Sequence, residues 1–228
     1  MVILGYAVLA YVTFLFSIGW AVVFLTGPVD GPATHSPATA LTVDALLLLA
    51  FAVQHTIMAR PRFKRHLPAA VERSTFVLAA SLVLVALFAW WEPVPAVVWR
   101  GSPLLWVLYA AGWALAVAAT YMIDHFDMFG LKQAVRRDAY QAPAFRERWL
   151  YKRVRHPMML GMIIAFWATP TMTVGHLFFA VASTGYIAIG IRFEERDLRR
   201  QLGDTYAEYA ARVPMLIPGT RRAHSKVA

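Results

Sequence analysis

Four stretches of this chain, Val2 to Leu25, Ala38 to Met58, Thr75 to Trp91 and Leu104 to Ile123, are almost uninterruptedly apolar. Each comes close to the roughly 20 residues that a helix needs to cross a hydrocarbon core about 30 Å thick. In lipid every backbone N–H and C=O needs a partner within the protein, which leaves the α-helix as the form such isolated stretches can take. A fifth apolar region, Met158 to Ile191, is broken by Thr169-Pro170-Thr171. A proline inside a helix removes a donor and clashes with the preceding turn, so this region reads as a helical hairpin with one short arm. The expected fold is all-α: a polytopic membrane helical bundle, one domain over residues 1–228, ending in that C-terminal hairpin and an amphipathic tail helix.

Composition supports a membrane as solvent. Of 228 residues 59% are hydrophobic and only 15% are charged, too apolar a balance for a soluble domain of this size. The absence of cysteine excludes a disulfide framework, a thiolate metal site and a cysteine nucleophile. Met1 to Phe24 lacks the basic start of a signal peptide and is long enough to span, so it reads as a mature helix.

The formal charge of +9 would raise nucleic-acid binding in a soluble protein, but here it follows topology. Residues Arg60 to Arg73 hold five Lys/Arg, Asp124 to His156 hold eight, the tail from Arg192 holds eight, and Arg100 stands alone. The intervening loops Gly27 to Pro37 and Glu92 to Pro103 are rich in Pro and Gly. The positive-inside rule therefore puts the three basic segments, both termini and any site they form in the cytoplasm, in a bacterial inner membrane, with no nucleic acid and no obligate protein partner expected. Both termini on one side require an even number of crossings, six if the hairpin spans and four if it is re-entrant. In the tail, Phe193, Leu198, Leu202, Tyr206 and Tyr209 recur at helical spacing over Phe193 to Ala211, as in an interfacial helix whose basic face meets anionic headgroups.

Chemistry-bearing residues concentrate where the basic segments meet the membrane. Tyr151-Lys-Arg-Val-Arg155-His156-Pro157-Met-Met159-Leu-Gly161 enters the hairpin, and Pro157 suits a first helical turn. Free N–H groups at a helix start favour an anionic ligand group; the plain alternative is headgroup anchoring by Arg and His. Glu194-Glu195 leaves the hairpin, either salt-bridged to Arg192, Arg196, Arg199 and Arg200, or with one carboxylate paired with Arg155 or His156 and the other receiving a ligand's polar groups.

Arg155-His156-Pro157-x-x-x-Gly161, then Glu194-Glu195-x-x-Leu198, Gly203-x-x-Tyr206-x-x-Tyr209 and Val213-Pro214-Met-x-Ile217-Pro218, resembles the C-terminal signature of the isoprenylcysteine carboxyl methyltransferase and phospholipid methyltransferase superfamily. Asp124-His125-Phe126-Asp127-Met-Phe129-Gly130-Leu131-Lys132-Gln133, Phe166 to His176, and Gln54-His55-x-x-Met58-Ala-Arg60 resemble, more narrowly, the bacterial methanethiol S-methyltransferases. The resemblance implies an S-adenosyl-L-methionine pocket within about residues 150–218 and methylation of a small thiol, methanethiol, to dimethyl sulfide. Met159 stands where the superfamily often has Tyr.

On that reading Gln133, Tyr151, Arg155, His156, Pro157, Met159, Gly161, Glu194 and Glu195 are the cofactor-binding candidates, Arg155 for the cofactor's carboxylate and Glu194 or Glu195 for its ammonium or ribose. Methyl transfer from a sulfonium needs orientation and exclusion of water rather than a metal. A thiol needs help to ionise, and the catalytic candidates are His125, oriented by Asp124 or Asp127, with Asp127 itself and His55. Asp127 could instead brace its loop, and Gln133 could satisfy backbone groups there. The competing functions are a related methyltransferase acting on a prenylcysteine carboxylate or phospholipid amine, an NADPH-dependent sterol-reductase-like enzyme, and a non-enzymatic transporter or scaffold.

Overall fold

The computed structural model describes residues 1–141 and 145–220, so part of the second basic segment and the last three cations of the tail lie outside the described residues. Its elements are α1 (Val2–Phe24), α2 (Pro37–Ala59), α3 (Pro61–Lys64), α4 (Glu72–Ala89), β1 (Val97–Arg100), α5 (Leu105–Ile123), α6 (His125–Met128), α7 (Leu131–Arg136), α8 (Pro157–Trp167), β2 (Thr171–Thr173), α9 (Val174–Leu202) and α10 (Asp204–Arg212). Helices α1, α2, α4, α5 and α9 are long and apolar enough to cross a membrane. Their starts carry ordinary signals: Ser36 Oγ accepts from the Thr39 N–H with Pro37 following, and Thr173 Oγ1 accepts from the His176 N–H.

Around the bundle α1 packs on α4, α4 on α2, α2 on α9, α9 on α8 and α8 on α5. Large apolar side chains such as Leu9, Phe16, Leu46, Leu49, Val107 and Val181 point outward, as lipid-facing residues do. Inside, Phe24, Phe88, Trp91, Phe166 and Phe179 interlock with ring centroids 4.8–5.8 Å apart. The tightest helix pair is α5 with α8. A Cβ on Gly161 would sit 2.6 Å from the Ala116 N and the Gly112 O, and one on Gly112 would sit 2.7 Å from the Ala165 N, so two glycines let these backbones touch.

The hairpin reaches the far end of the bundle. At 11 residues α8 is about 16 Å long, too short to cross alone. The extended segment beyond it completes the passage: β2 pairs antiparallel with β1, the Gly101 N–H donates to the Pro170 O at 2.7 Å, and the Val174 N–H to the Ala96 O at 2.9 Å. Thr173 and His176 also reach Asp30 in the α1–α2 loop. Among the described residues the Pro/Gly-rich loops and the hairpin tip thus share one end of the bundle and the basic segments the other. The two short strands are the departure from an all-α fold.

The tail differs from the single interfacial helix expected over Phe193 to Ala211. Helix α9 continues unbroken to Leu202, and Gly203, at φ +54°, breaks the chain before α10. Tyr206 and Tyr209 are buried against Phe145, Leu198 and Leu202 rather than turned to headgroups. The helical periodicity was that of a face packed on protein.

Candidate active site

The start of α8 is stitched to the end of the described chain. The Arg155 and His156 N–H groups donate to the Pro214 and Met215 carbonyls at 2.9 and 3.2 Å. Arg155 Nη1 donates to the Ala210 and Val213 carbonyls at 2.9 and 2.6 Å, and its Nε to Glu195 Oε1 at 2.6 Å. Glu195 Oε1 also lies 3.1 Å from His156 Nε2, which must carry a hydrogen because a carboxylate oxygen accepts. Arg155, His156 and Glu195 are nearly inaccessible. Glu194, one residue away, is half exposed, with Oε2 3.6 Å from His156 Nδ1.

This assigns different work to neighbouring candidates. Arg155 is spent on Glu195 and two carbonyls, a clamp rather than a free cation for a ligand carboxylate. Gly161 is occupied by the α5 contact, Pro157 is the buried first residue of α8, and Met159 packs on the apolar core. The unpaired cations are elsewhere. A cleft of about 430 Å³ is lined by Arg192, Glu195, Arg196, Arg199, Arg200 and Met215. Among the described residues Arg192, Arg196 and Arg199 form no ion pair, while Arg200 lies 3.7 Å from Asp197. Beside this cluster burial, reinforced by the Glu194 charge, pushes the Tyr151 hydroxyl up, and the Tyr151 carbonyl accepts from Tyr209 Oη at 2.7 Å. The buried Tyr206 hydroxyl, pushed up to about 12 by burial and the Glu195 charge, has no hydrogen-bond partner among the described residues.

A second cluster braces the segment after α5. Arg73 Nη1 donates to Asp127 Oδ2 at 2.9 Å and to the Asp127 carbonyl at 3.1 Å, and the Arg73 N–H donates to Gln133 Oε1 at 3.3 Å. Asp124 caps α6 by accepting from the Asp127 N–H and is paired with Lys132. Burial opposes its ionisation, yet the Lys132 and Asp127 hydrogen bonds and the Lys132 and Arg136 charges hold its carboxyl below the usual range. Asp127 and Gln133 therefore fasten α6 and α7 to the start of α4.

Among the described residues neither aspartate forms a hydrogen bond or ion pair with His125. Its Nδ1 lies 2.7 Å from Thr120 Oγ1, its Nε2 2.7 Å from Tyr11 Oη, and its ring stacks on Tyr121 at 4.1 Å. The expectation that Asp124 or Asp127 orients it is corrected: both carboxylates are drawn to cations, and a threonine and a tyrosine do that work. Burial pushes the His125 pKa down, against the pull of Asp124. His55 stands apart on α2, with Nδ1 3.0 Å from Tyr186 Oη. No hydrogen bond or ion pair among the described residues joins His55, His125 and His156.

The chain is similar to proteins named methanethiol S-methyltransferase: one from Bradyrhizobium diazoefficiens is 46% identical over 96% of this chain and 90% of its own length, and one from Mycobacterium tuberculosis is 45% identical over 95% and 96%. The chain belongs to the methanethiol S-methyltransferase family. A more distant similarity, 27% identity over 88% of this chain, links it to the protein named Nurim of Xenopus laevis. No family model matches the chain, and no solved structure matches it.

The partners that hold these candidates, Tyr11, Thr120, Arg73 and Tyr186, carry no motif in the sequence. Tyr11 lies 114 positions from its partner, and a lone tyrosine in an apolar span carries no local signal of a hydrogen bond. The cationic cleft was legible as a run of arginines, but their lack of partners was not.

Proposed function

We propose that this protein transfers the methyl group of S-adenosyl-L-methionine to methanethiol, forming dimethyl sulfide. The near full-length kinship with proteins named for that reaction carries the reading. The residues present suit the donor. Arg192, Arg196 and Arg199, without an ion pair among the described residues, offer cations to its carboxylate, the half-exposed Glu194 an acceptor for its ammonium or ribose hydroxyls, and Tyr206 a buried hydroxyl beside Glu195 with no partner among those residues. Arg155, His156 and Glu195 hold that wall in place. When bound, the cofactor supplies a methyl activated by its sulfonium; the protein's share is to orient the acceptor, exclude water and remove a proton. The three basic segments support a cytoplasmic face for the site through the positive-inside rule. The test is detergent-purified protein with labelled S-adenosyl-L-methionine and a panel of methanethiol, hydrogen sulfide, prenylcysteine and phospholipid. Labelled dimethyl sulfide is the expected product; label transferred only to prenylcysteine or phospholipid overturns the reading.

A further inference from the structure

We infer that Tyr11, on the first helix and outside every motif, is a further catalytic residue: its hydroxyl takes the thiol's proton while passing its own to His125. The inference rests on the thiol-methylation reading above and assigns its proton path.

Hydrogen bookkeeping gives the path a direction. Thr120 Oγ1 lies 2.7 Å from both the Val117 carbonyl and His125 Nδ1; with its one hydrogen donated to the carbonyl it accepts towards His125, an arrangement that puts the imidazole hydrogen on Nδ1. The basic lone pair is then on Nε2, where it accepts from Tyr11 Oη–H at 2.7 Å. A proton bound for His125 meets Tyr11 first. The Tyr11 oxygen accepts no hydrogen bond from the described residues, and the rings of Phe14, Phe126 and Phe129 stand 6.3, 6.2 and 6.0 Å from its own. An apolar aromatic setting with one open oxygen suits a small alkyl thiol, since sulfur packs favourably beside aromatic rings.

The relay's anchor also lies level with the start of α8. Helices α5 and α8 run antiparallel with Gly161 against Gly112 and Ala116, so one turn nearer the start of α8 Pro157 comes level with Thr120, the residue that anchors His125. In the step, the S–H bond breaks and an O–H bond forms on Tyr11, while the original Tyr11 O–H bond breaks and an N–H bond forms on His125 Nε2. The electron pair stays on sulfur, available to the methyl group that S-adenosyl-L-methionine would supply. His125 afterwards releases the proton to water.

The experiment compares two acceptors, methanethiol and methaneselenol; the selenol is already ionised near neutral pH and needs no base. In Tyr11→Phe, kcat/KM for methanethiol should fall about 10²- to 10⁴-fold, the range for a lost general acid–base group, and recover as pH rises and the free thiol ionises. The loss with methaneselenol should be many times smaller, with S-adenosyl-L-methionine affinity as in the wild type. His125→Gln, which keeps a partner for Tyr11, should show the same selectivity and carries the comparison if Tyr11→Phe is not recovered folded. Equal losses on both acceptors would make Tyr11 a pin between α1 and α6 and overturn the proposal, as would an undiminished rate with methanethiol. Wild-type protein that methylates neither acceptor would instead refute the reading of the function.

Discussion

Glu195→Ala tests whether the clamp at the start of α8 holds the candidate cofactor wall together. One carboxylate oxygen of Glu195 receives both Arg155 Nε and His156 Nε2, and Arg155 in turn holds the carbonyls of Ala210 and Val213. The Arg155 and Glu195 side chains are 9% and 10% exposed, so solvent screens the pair weakly. Breaking one side of a buried pair costs about 3–5 kcal/mol because the remaining charge is stranded. Since 1.4 kcal/mol is about tenfold, opening of the chain end away from α8 should become at least a hundredfold more frequent. Hydrogen exchange in detergent reads this directly: the Arg155 and His156 amides, bonded to Pro214 and Met215, should exchange faster by that factor while those of α1 and α4 do not. Glu195→Gln, which keeps an oxygen acceptor and loses the charge, should fall between wild type and Ala. Unchanged exchange at Arg155 and His156 in Glu195→Ala would refute the clamp; uniform acceleration throughout the bundle would show that Glu195 supports the whole fold instead.

Gly161→Leu should destabilise by more than the about 1–3 kcal/mol typical of overpacking, since its Cβ alone meets backbone atoms at 2.6 Å; a thermal melt within error of wild type would contradict the α5–α8 contact. Gly203→Ala, where nothing lies within 4 Å but φ is +54° and ψ −128°, should cost about 1–3 kcal/mol through backbone strain alone, measurable as a drop in melting temperature. Asp127→Ala strands Arg73 and should cost about 1–3 kcal/mol, appearing as faster exchange confined to α6 and α7 and the start of α4. Because the folded-state pKa of His125 lies below its unfolded value, the unfolded chain binds more protons as pH falls, and this histidine's contribution, complete above the unfolded pKa of about 6.5, is lost as pH drops toward the folded value. Melting temperature followed from pH 7.5 to 5 should therefore fall less steeply in His125→Gln than in the wild type.

How far the sequence could be read follows from where each signal resides. The spanning helices, the break at Pro170 and the gathering of basic segments at one end are properties of contiguous residues, because hydropathy, proline sterics and charge asymmetry act locally along the chain. A pairing of one of the two glutamates with Arg155 or His156 was one of two open readings; by bringing α8 and α9 together across the hairpin the structure chose Glu195, and gave it both partners. Other roles were decided only by long-range contact. Gly161 resembled a ligand-motif glycine until α5 was seen against it. Asp127 resembled a partner for the adjacent His125 until Arg73, 54 positions earlier, claimed its carboxylate. The interfacial tail helix failed for the same reason, since an amphipathic period does not reveal whether its apolar face meets lipid or protein. The sequence by itself thus determined a helical membrane bundle and the end of it that carries chemistry. Only the tertiary structure decided the partners of His125, because the Tyr11 and Thr120 hydroxyls at its two nitrogens come from the first helix and the fifth.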